Sequence, residues 1–274
     1  MESTAKSFNV RSTSFPSKSH PNLARVQECL HVFKAWEASP SKKAQFVTSL
    51  AHLKDLYISI NAFLQLPLSQ QALCGKERLV GQLMDDFVCL MDVCGMVKDS
   101  LLHMKEQYEA LRSMLRRGDS GLEASICAYH CSRKRMKKDM AKCLSLLRSV
   151  EKHVCSSNDN LDVVDQVLKD VRAAAVSILT FLSSIISGRK ASQSIFSKFR
   201  TLGSKSQNEK GIHDGASDIE KADVAILSLY GHSSKAVKEV DARDAQKQME
   251  AVDLKLRETE VELEDFFRCI FSDA

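Results

Sequence analysis

The chain has 274 residues, of which 44% are hydrophobic, so it is long enough to bury a sizeable core in one large domain or two small ones. Only 4 Pro and 10 Gly argue against an all-β chain full of turns. The net charge of +4, from 39 basic and 35 acidic residues, is too mild to indicate a nucleic-acid partner, and we expect none. The opening residues show no secretory signal and the 9 Cys have no regular spacing, so we expect reduced thiols and a cytoplasmic location.

Residues 1–20 are Ser-rich and contain few apolar side chains, a composition that predicts a disordered arm. The remainder, 21–274, is predicted to form a helical bundle domain. Its first helix runs from about Pro21 to Ala38, and its second begins near Ser41 and is stopped by Pro67. A short turn is expected over residues 69–74.

The stretch from Leu79 to Leu115 predicts a long central helix. Its apolar residues recur in steps of four and three, which places them along one face, here called a seam. Arg116, Arg117 and Gly118 suit the end of this helix, because basic residues oppose the helix dipole there and Gly adopts the left-handed cap. The ten seam residues are Leu83, Phe87, Leu90, Cys94, Val97, Leu101, Met104, Tyr108, Leu111 and Leu115.

Three further seams follow along the chain. The first runs from Leu122 to Val154 and is interrupted only by Arg133, and the second runs from Leu161 to Ile185. The helix with the seam from Leu161 to Ile185 includes the uncharged run 173–188. This run is shorter than the ~20 residues of a membrane span and is therefore predicted to lie inside the bundle. The last seam belongs to a helix over about 235–271, and it consists of Ala245, Met249, Val252, Leu256, Thr259, Leu263, Phe266 and Ile270.

A flexible linker is predicted over 203–217, because this segment is rich in Gly and Ser, and a short helix over 219–230 follows it. Seams joined by short connections predict an all-α fold, an elongated antiparallel bundle of about five to seven helices with a disordered N-terminal arm. No convincing strand pattern of alternating residues occurs in the sequence.

Two motifs have a plain structural interpretation. Residues 118–121 spell Gly-Asp-Ser-Gly, but a serine protease needs a β-barrel and a histidine base, so a helix–helix turn is the better interpretation. Cys127, His130 and Cys131, with Cys143 further on, lack the second ligand cluster of a structural zinc site. We therefore predict no catalytic residue, no metal site and no cofactor.

The strongest local charge is a basic cluster on the predicted helix whose seam runs from Leu122 to Val154. It could be a solvated face, a surface for anionic lipid, or a nuclear import signal, which would need an extended chain. The predicted basic face consists of Arg133, Lys134, Arg135, Lys137, Lys138 and Lys142.

A further motif lies in the N-terminal arm. Arg11-Ser12-Thr13-Ser14-Phe15-Pro16 matches the phosphoserine pattern that 14-3-3 proteins bind. Arg11 would recruit a basophilic kinase, and phosphorylated Ser14 would bind an arginine cluster of the 14-3-3 protein. Pro16 would turn the chain out of the binding groove of that protein. A chance match in a Ser-rich tail is the alternative.

Four stretches closely resemble a plant family catalogued as domain of unknown function 241, whose members are often labelled BYPASS-like. They are residues 7–21, 53–73, 90–124 and 132–144, so the likeness covers nearly the whole chain. The resemblance implies no established activity, cofactor or catalytic residue, and its label associates the family with root and shoot development. We expect a non-enzymatic intracellular interaction protein, regulated through Ser14. The alternative is a peripheral membrane protein that uses the basic face together with the basic-aromatic stretch 189–202.

Overall fold

The computed structural model of the chain describes residues 20–39, 46–118, 121–155, 162–188, 218–230 and 235–272. These residues form eight helices and no strand, which confirms the all-α prediction. The predicted arm over 1–20, apart from His20, and the predicted linker over 203–217 lie outside the described residues. The helices are α1 Pro21–Ala38, α2 Phe46–Leu64, α3 Pro67–Leu73, α4 Glu77–Arg117, α5 Leu122–Cys155, α6 Val163–Ser187, α7 Asp218–Ser228 and α8 Lys235–Ser272.

The central rod is α4, whose 41 residues span about 60 Å at the usual rise. Seven of its ten predicted seam residues are buried, including Leu101 and Leu111 at 2% exposure each, and the remaining three are partly buried. The helix ends as the sequence predicts. Gly118 takes a left-handed conformation at φ 63°, and its N–H bonds to the carbonyls of Met114 and Leu115.

One predicted turn is in fact a helix. Residues 67–73 form α3, because Pro67 occupies the first helical position, where its missing N–H costs no hydrogen bond and its fixed φ suits the helix. Pro67 does separate α3 from α2, which ends at Leu64. The same preference operates at Pro21, the first residue of α1. His20 caps this helix, because its side chain accepts a hydrogen bond from the backbone N–H of Asn22.

Two helices run antiparallel to α4. As the residue number rises along α4, the residue number of the contacting side chain on α5 falls. The pairs run from Asp86–His153 through Met96–Cys143 to Tyr108–Tyr129. Ion pairs between α4 and α8 follow the same rule, with nitrogen–oxygen distances of 3.8, 3.0 and 3.0 Å. They join Lys98 to Glu264, Lys105 to Glu260 and Arg112 to Asp253.

The most enclosed element is α6, which packs against α1, α2, α3, α4 and α5. It is long and apolar enough to span a membrane, with a mean hydropathy of 1.4, yet 72% of that apolar window is buried within the bundle. Burial extends around nearly its whole circumference, where the sequence had indicated a single seam. The charged Arg172 is itself only 8% exposed, for a reason given below.

Candidate functional site on the outer face of α5

α5 divides its surface between an apolar face and a cationic one. Its apolar face packs against α4 and α6, and none of its central members is more than 2% exposed. Those members are Ile126, Tyr129, Met136, Met140, Cys143, Leu147, Val150 and Val154. The opposite face must therefore point to solvent.

Five of the six predicted basic residues lie on this solvent side. Lys134, Arg135, Lys138 and Lys142 are exposed and project in similar directions. Lys137 is also exposed but lies at one edge, with its Nζ 3.8 Å from Asp223 Oδ2 of α7.

The cationic face continues further than the sequence prediction, which stopped at Lys142. Arg148 and Lys152 are also exposed, and helical geometry places them in the same direction as the first four within an arc of about 140°. The signal was available in the sequence, because both residues continue the helical spacing, but uncharged Ser145 and Ser149 interrupt the run of charge. The outer face of α5 is defined here by its six exposed cations, Lys134, Arg135, Lys138, Lys142, Arg148 and Lys152.

The charge of this outer face is not neutralised locally. Within the part of the chain that the structure describes, none of its six cations forms an ion pair. Of the acidic residues of the same helix, Glu123 is exposed in the first turn, about three turns before Lys134, and Asp139 and Glu151 are only partly exposed. An uncompensated cationic row of this kind attracts anions.

The sixth predicted residue, Arg133, is not on the outer face. It occupies the apolar seam at 2% exposure, and its guanidinium binds Asp223 of α7 through two 2.9 Å hydrogen bonds. A third N–H donates to the carbonyl of Ile186, near the end of α6, at 3.1 Å. Tyr129 donates to Asp223 as well, at 2.5 Å. Arg133 is thus buried because groups on two neighbouring helices, Asp223 of α7 and the Ile186 carbonyl of α6, accept its hydrogen bonds.

Burial alone would disfavour the charge on Arg133. Its hydrogen bonds with Asp223 outweigh this effect and raise the pKa of Arg133 above its ordinary value. Burial, with Tyr108 and Asp223 beside it, also raises the pKa of Tyr129, so this phenol stays protonated and donates. The Arg133 cluster, formed by Arg133, Tyr129 and Asp223, therefore attaches α7 to α5 and α6.

A second buried polar cluster joins α4, α5 and α6. Asp86, at 2% exposure, accepts a 2.7 Å hydrogen bond from Arg172 and is paired with Nδ1 of His153 at 2.8 Å. This pairing explains how α6 can bury an arginine. The sequence pattern did not predict this cluster, because Asp86 and Arg172 each lie beside a predicted seam, where a single-face pattern expects solvent-exposed residues.

The cysteines considered as metal ligands do not converge. Cys127 and Cys131 are exposed on α5, whereas Cys143 is buried with its Sγ 3.9 Å from Met96 Sδ. Among the described residues, no group of three or more His, Cys, Asp and Glu side chains is placed to hold a metal ion.

Two other sequence features cannot be placed. The motif formed by Arg11, Ser14 and Pro16 lies outside the described residues, and so does the basic-aromatic stretch 189–202. The six cations of α5 are therefore the strongest candidate site that the structure describes.

The fold and the site together define a class of protein, a helical bundle with a long central rod and one uncompensated cationic helix face. The chain belongs to the plant family described as Protein BPS1, the BYPASS-like family, whose family model matches residues 49–272. This match confirms the resemblance seen in the sequence. No curated protein and no solved structure matches the chain.

Proposed function

We propose that this protein is a non-enzymatic binding protein that docks on an anionic phospholipid surface through the outer face of α5. The observation that carries the proposal is the row of six exposed cations without acidic partners among the described residues. A rigid helix that presents such a row can lie flat on a membrane, with several headgroups in reach at once.

The expected strength follows from the number of cations. Each Lys or Arg near an anionic leaflet contributes about 1 kcal/mol, and this attraction falls off within a Debye length. Several cations on one face therefore give measurable, salt-sensitive binding. Both buried polar clusters hold helices together, which supports a binding role over a catalytic one.

The test is sedimentation of the purified full chain with vesicles. We expect binding to vesicles that contain phosphatidylserine, weaker binding as salt rises, and little binding to phosphatidylcholine alone. The variant Lys134→Gln/Lys138→Gln/Lys142→Gln should bind about a hundredfold more weakly, because it loses about 3 kcal/mol in total.

The matched control removes the same charge elsewhere. Arg78, Arg116 and Lys247 are exposed cations on α4 and α8, and their replacement by Gln should change binding far less. Equal losses in the two triple variants would mean that only net charge matters. Equal binding to neutral vesicles, or no binding at all, would also contradict the proposal.

A second candidate function is phosphorylation-dependent binding of a 14-3-3 protein through Ser14. The motif of Arg11, Ser14 and Pro16 supports it, because phosphate offers several charge-assisted hydrogen bonds at once. A peptide of residues 6–21 phosphorylated at Ser14 should bind a plant 14-3-3 protein. The unphosphorylated peptide and the Arg11→Ala phosphopeptide should bind much more weakly, and equal binding of all three would remove this candidate. Either mode of binding would serve the root and shoot development that the family resemblance implies.

A further inference from the structure

Exposed thiols are few in the part of the chain that the structure describes. Only Cys74, Cys127 and Cys131 are exposed among the cysteines whose surroundings are described, and the last two lie one turn apart at the start of α5. Their positions fall inside the same arc of about 140° as the six cations. The two thiols therefore extend the outer face of α5 by two turns toward its N-terminal end.

This placement matters once the face meets a membrane. Cys131 lies about 4.5 Å along the helix axis from Lys134, so docking of the cations brings both thiols to the headgroup level. Neither thiol takes part in the helix packing, because the inward positions of this segment belong to Ile126 and Tyr129, which are each 1% exposed. An added group at either sulfur would therefore extend away from the bundle.

We propose that Cys127 and Cys131 are sites of S-acylation by long-chain fatty acids. The inference rests on the proposed docking of this face on an anionic membrane. An acyl-coenzyme A supplies the chain and a membrane-bound acyltransferase catalyses the transfer. The cysteine sulfur attacks the thioester carbonyl, a new carbon–sulfur bond forms, the bond to coenzyme A breaks, and coenzyme A leaves as its thiol with the proton. No oxidant or reductant is required.

The combination of charge and acyl chains has a physical reason. A single acyl chain gives only marginal, reversible membrane binding, and stable attachment needs a second signal such as a polybasic patch. The outer face of α5 places both signals on one surface. Cysteine in an amphipathic helix beside a membrane is the setting in which reversible S-acylation occurs.

The other cysteines provide contrasts within the same chain. Cys94 and Cys143 are buried in the bundle and cannot meet an acyltransferase without unfolding. Cys74 is exposed, but it follows α3, and the nearest cation in sequence, Lys76, is paired with Asp162 and Asp165. Cys74→Ser is therefore the matched control.

The test uses the full chain expressed in plant cells. Free thiols are blocked, thioesters are cleaved with hydroxylamine, and each released thiol is tagged with a polyethylene glycol maleimide that shifts the protein on a gel. We expect two hydroxylamine-dependent shifts in the wild type and in Cys74→Ser. Cys127→Ser/Cys131→Ser should lose both shifts and keep the wild-type melting temperature, because both side chains are exposed.

The failure of this inference is distinguishable from failure of the docking proposal. Absence of any hydroxylamine-dependent shift in the wild type, or its persistence in the double cysteine variant, would overturn the acylation. Vesicle binding of bacterially produced protein, which carries no acyl chain, tests the docking separately. Acylation that persists at Cys127 and Cys131 in a protein that does not bind anionic vesicles would leave the modification standing and overturn the docking.

Discussion

Whether a cation of α5 is buried or exposed depends on the hydrogen-bond acceptors within reach of that single residue. The cation of Arg133 and the cations of the outer face of α5 are neighbours in sequence, but Arg133 is buried and the others are exposed. Burying a lone guanidinium would be prohibitive, and the site is stable because Asp223 and the Ile186 carbonyl accept its hydrogen bonds. An arginine suits the position better than a lysine, because its planar fork can bind both oxygens of the carboxylate.

The first prediction concerns this buried pair. Arg133→Met should lower the free energy of unfolding by about 3–5 kcal/mol, because Asp223 is left without its main partner. Addition of Asp223→Leu should recover part of the loss, since the uncompensated charge disappears. Denaturant unfolding of the wild type, Arg133→Met, Asp223→Leu and the double variant measures both effects.

The control for this prediction is Lys137→Met. The side chain of Lys137 is 49% exposed and 3.8 Å from the same carboxylate, so its removal should cost less than about 1 kcal/mol. If Arg133→Met/Asp223→Leu were destabilised by the sum of the losses in Arg133→Met and Asp223→Leu, the two residues would not be energetically coupled.

At the scale of elements, the beginnings of α4 and α6 are joined by one lysine. Asp162 caps α6 by accepting a 2.9 Å hydrogen bond from the backbone N–H of Asp165. Lys76, at the start of α4, donates to Asp162 at 2.5 Å and to Asp165 at 2.8 Å. Burial opposes charge on both partners, but these hydrogen bonds outweigh it. The pKa of Asp162 is therefore lowered and the pKa of Lys76 is raised.

The second prediction follows from these two shifts. A carboxylate with a lowered pKa stabilises the fold above its unfolded pKa of 3.8, and the contribution disappears as the pH falls through the lower folded value. A lysine with a raised pKa stabilises the fold below its unfolded pKa of 10.5, and the contribution disappears as the pH rises through the higher folded pKa. Lys76→Met should cost on the order of 1 kcal/mol near neutral pH, since both groups are partly exposed to solvent.

The measurement is denaturant unfolding of wild type and variant across the pH range. The difference should shrink below about pH 4 and again above about pH 10, where one partner loses its charge. Arg78→Met, an exposed cation in the first turn of α4, should show no such pH dependence. A Lys76→Met loss that is constant from acid to alkaline pH would mean that charge is not responsible.

On the scale of the whole molecule, the bundle is organised around α4 and α6. α4 has α5 and α8 antiparallel to it, and α6 fills the interior between α1, α2, α4 and α5. α7 contacts α8 and is held to α5 and α6 by the Arg133 cluster. The arrangement leaves the outer face of α5 uncovered by the described helices.

The third prediction tests the domain organisation. Outside the N-terminal arm, limited trypsin digestion should first cleave after Lys205 and Lys210, because the Gly- and Ser-rich composition of 203–217 predicts a segment that opens easily. Lys137 and Lys138 are exposed, but their backbone lies within α5, where helical hydrogen bonds must break before cleavage. Mass spectrometry of the earliest fragments identifies the sites, and first cuts after Lys137 or Lys138 would contradict the prediction.

The sequence alone determined the long helices and the apolar face that each one buries, although it did not predict the short helix α3. The eight predicted seam positions of α8, from Ala245 to Ile270, are all buried, and α4 differs from its predicted bounds by two residues at each end. Apolar periodicity predicts such features well because it depends on residues three and four apart, which are neighbours on any helix. The exposure of most of the α5 cations follows from the same periodicity.

Only the tertiary structure decided which charged residues are buried. Arg133 and Asp223 are 90 residues apart in the chain, and Asp86 and Arg172 are 86 apart, so no local pattern could pair them. Packing also buries α6 on nearly every side, where the sequence pattern predicted a single apolar face. Helix formation is a local property, whereas the partner that compensates a buried charge is set by how distant helices come together.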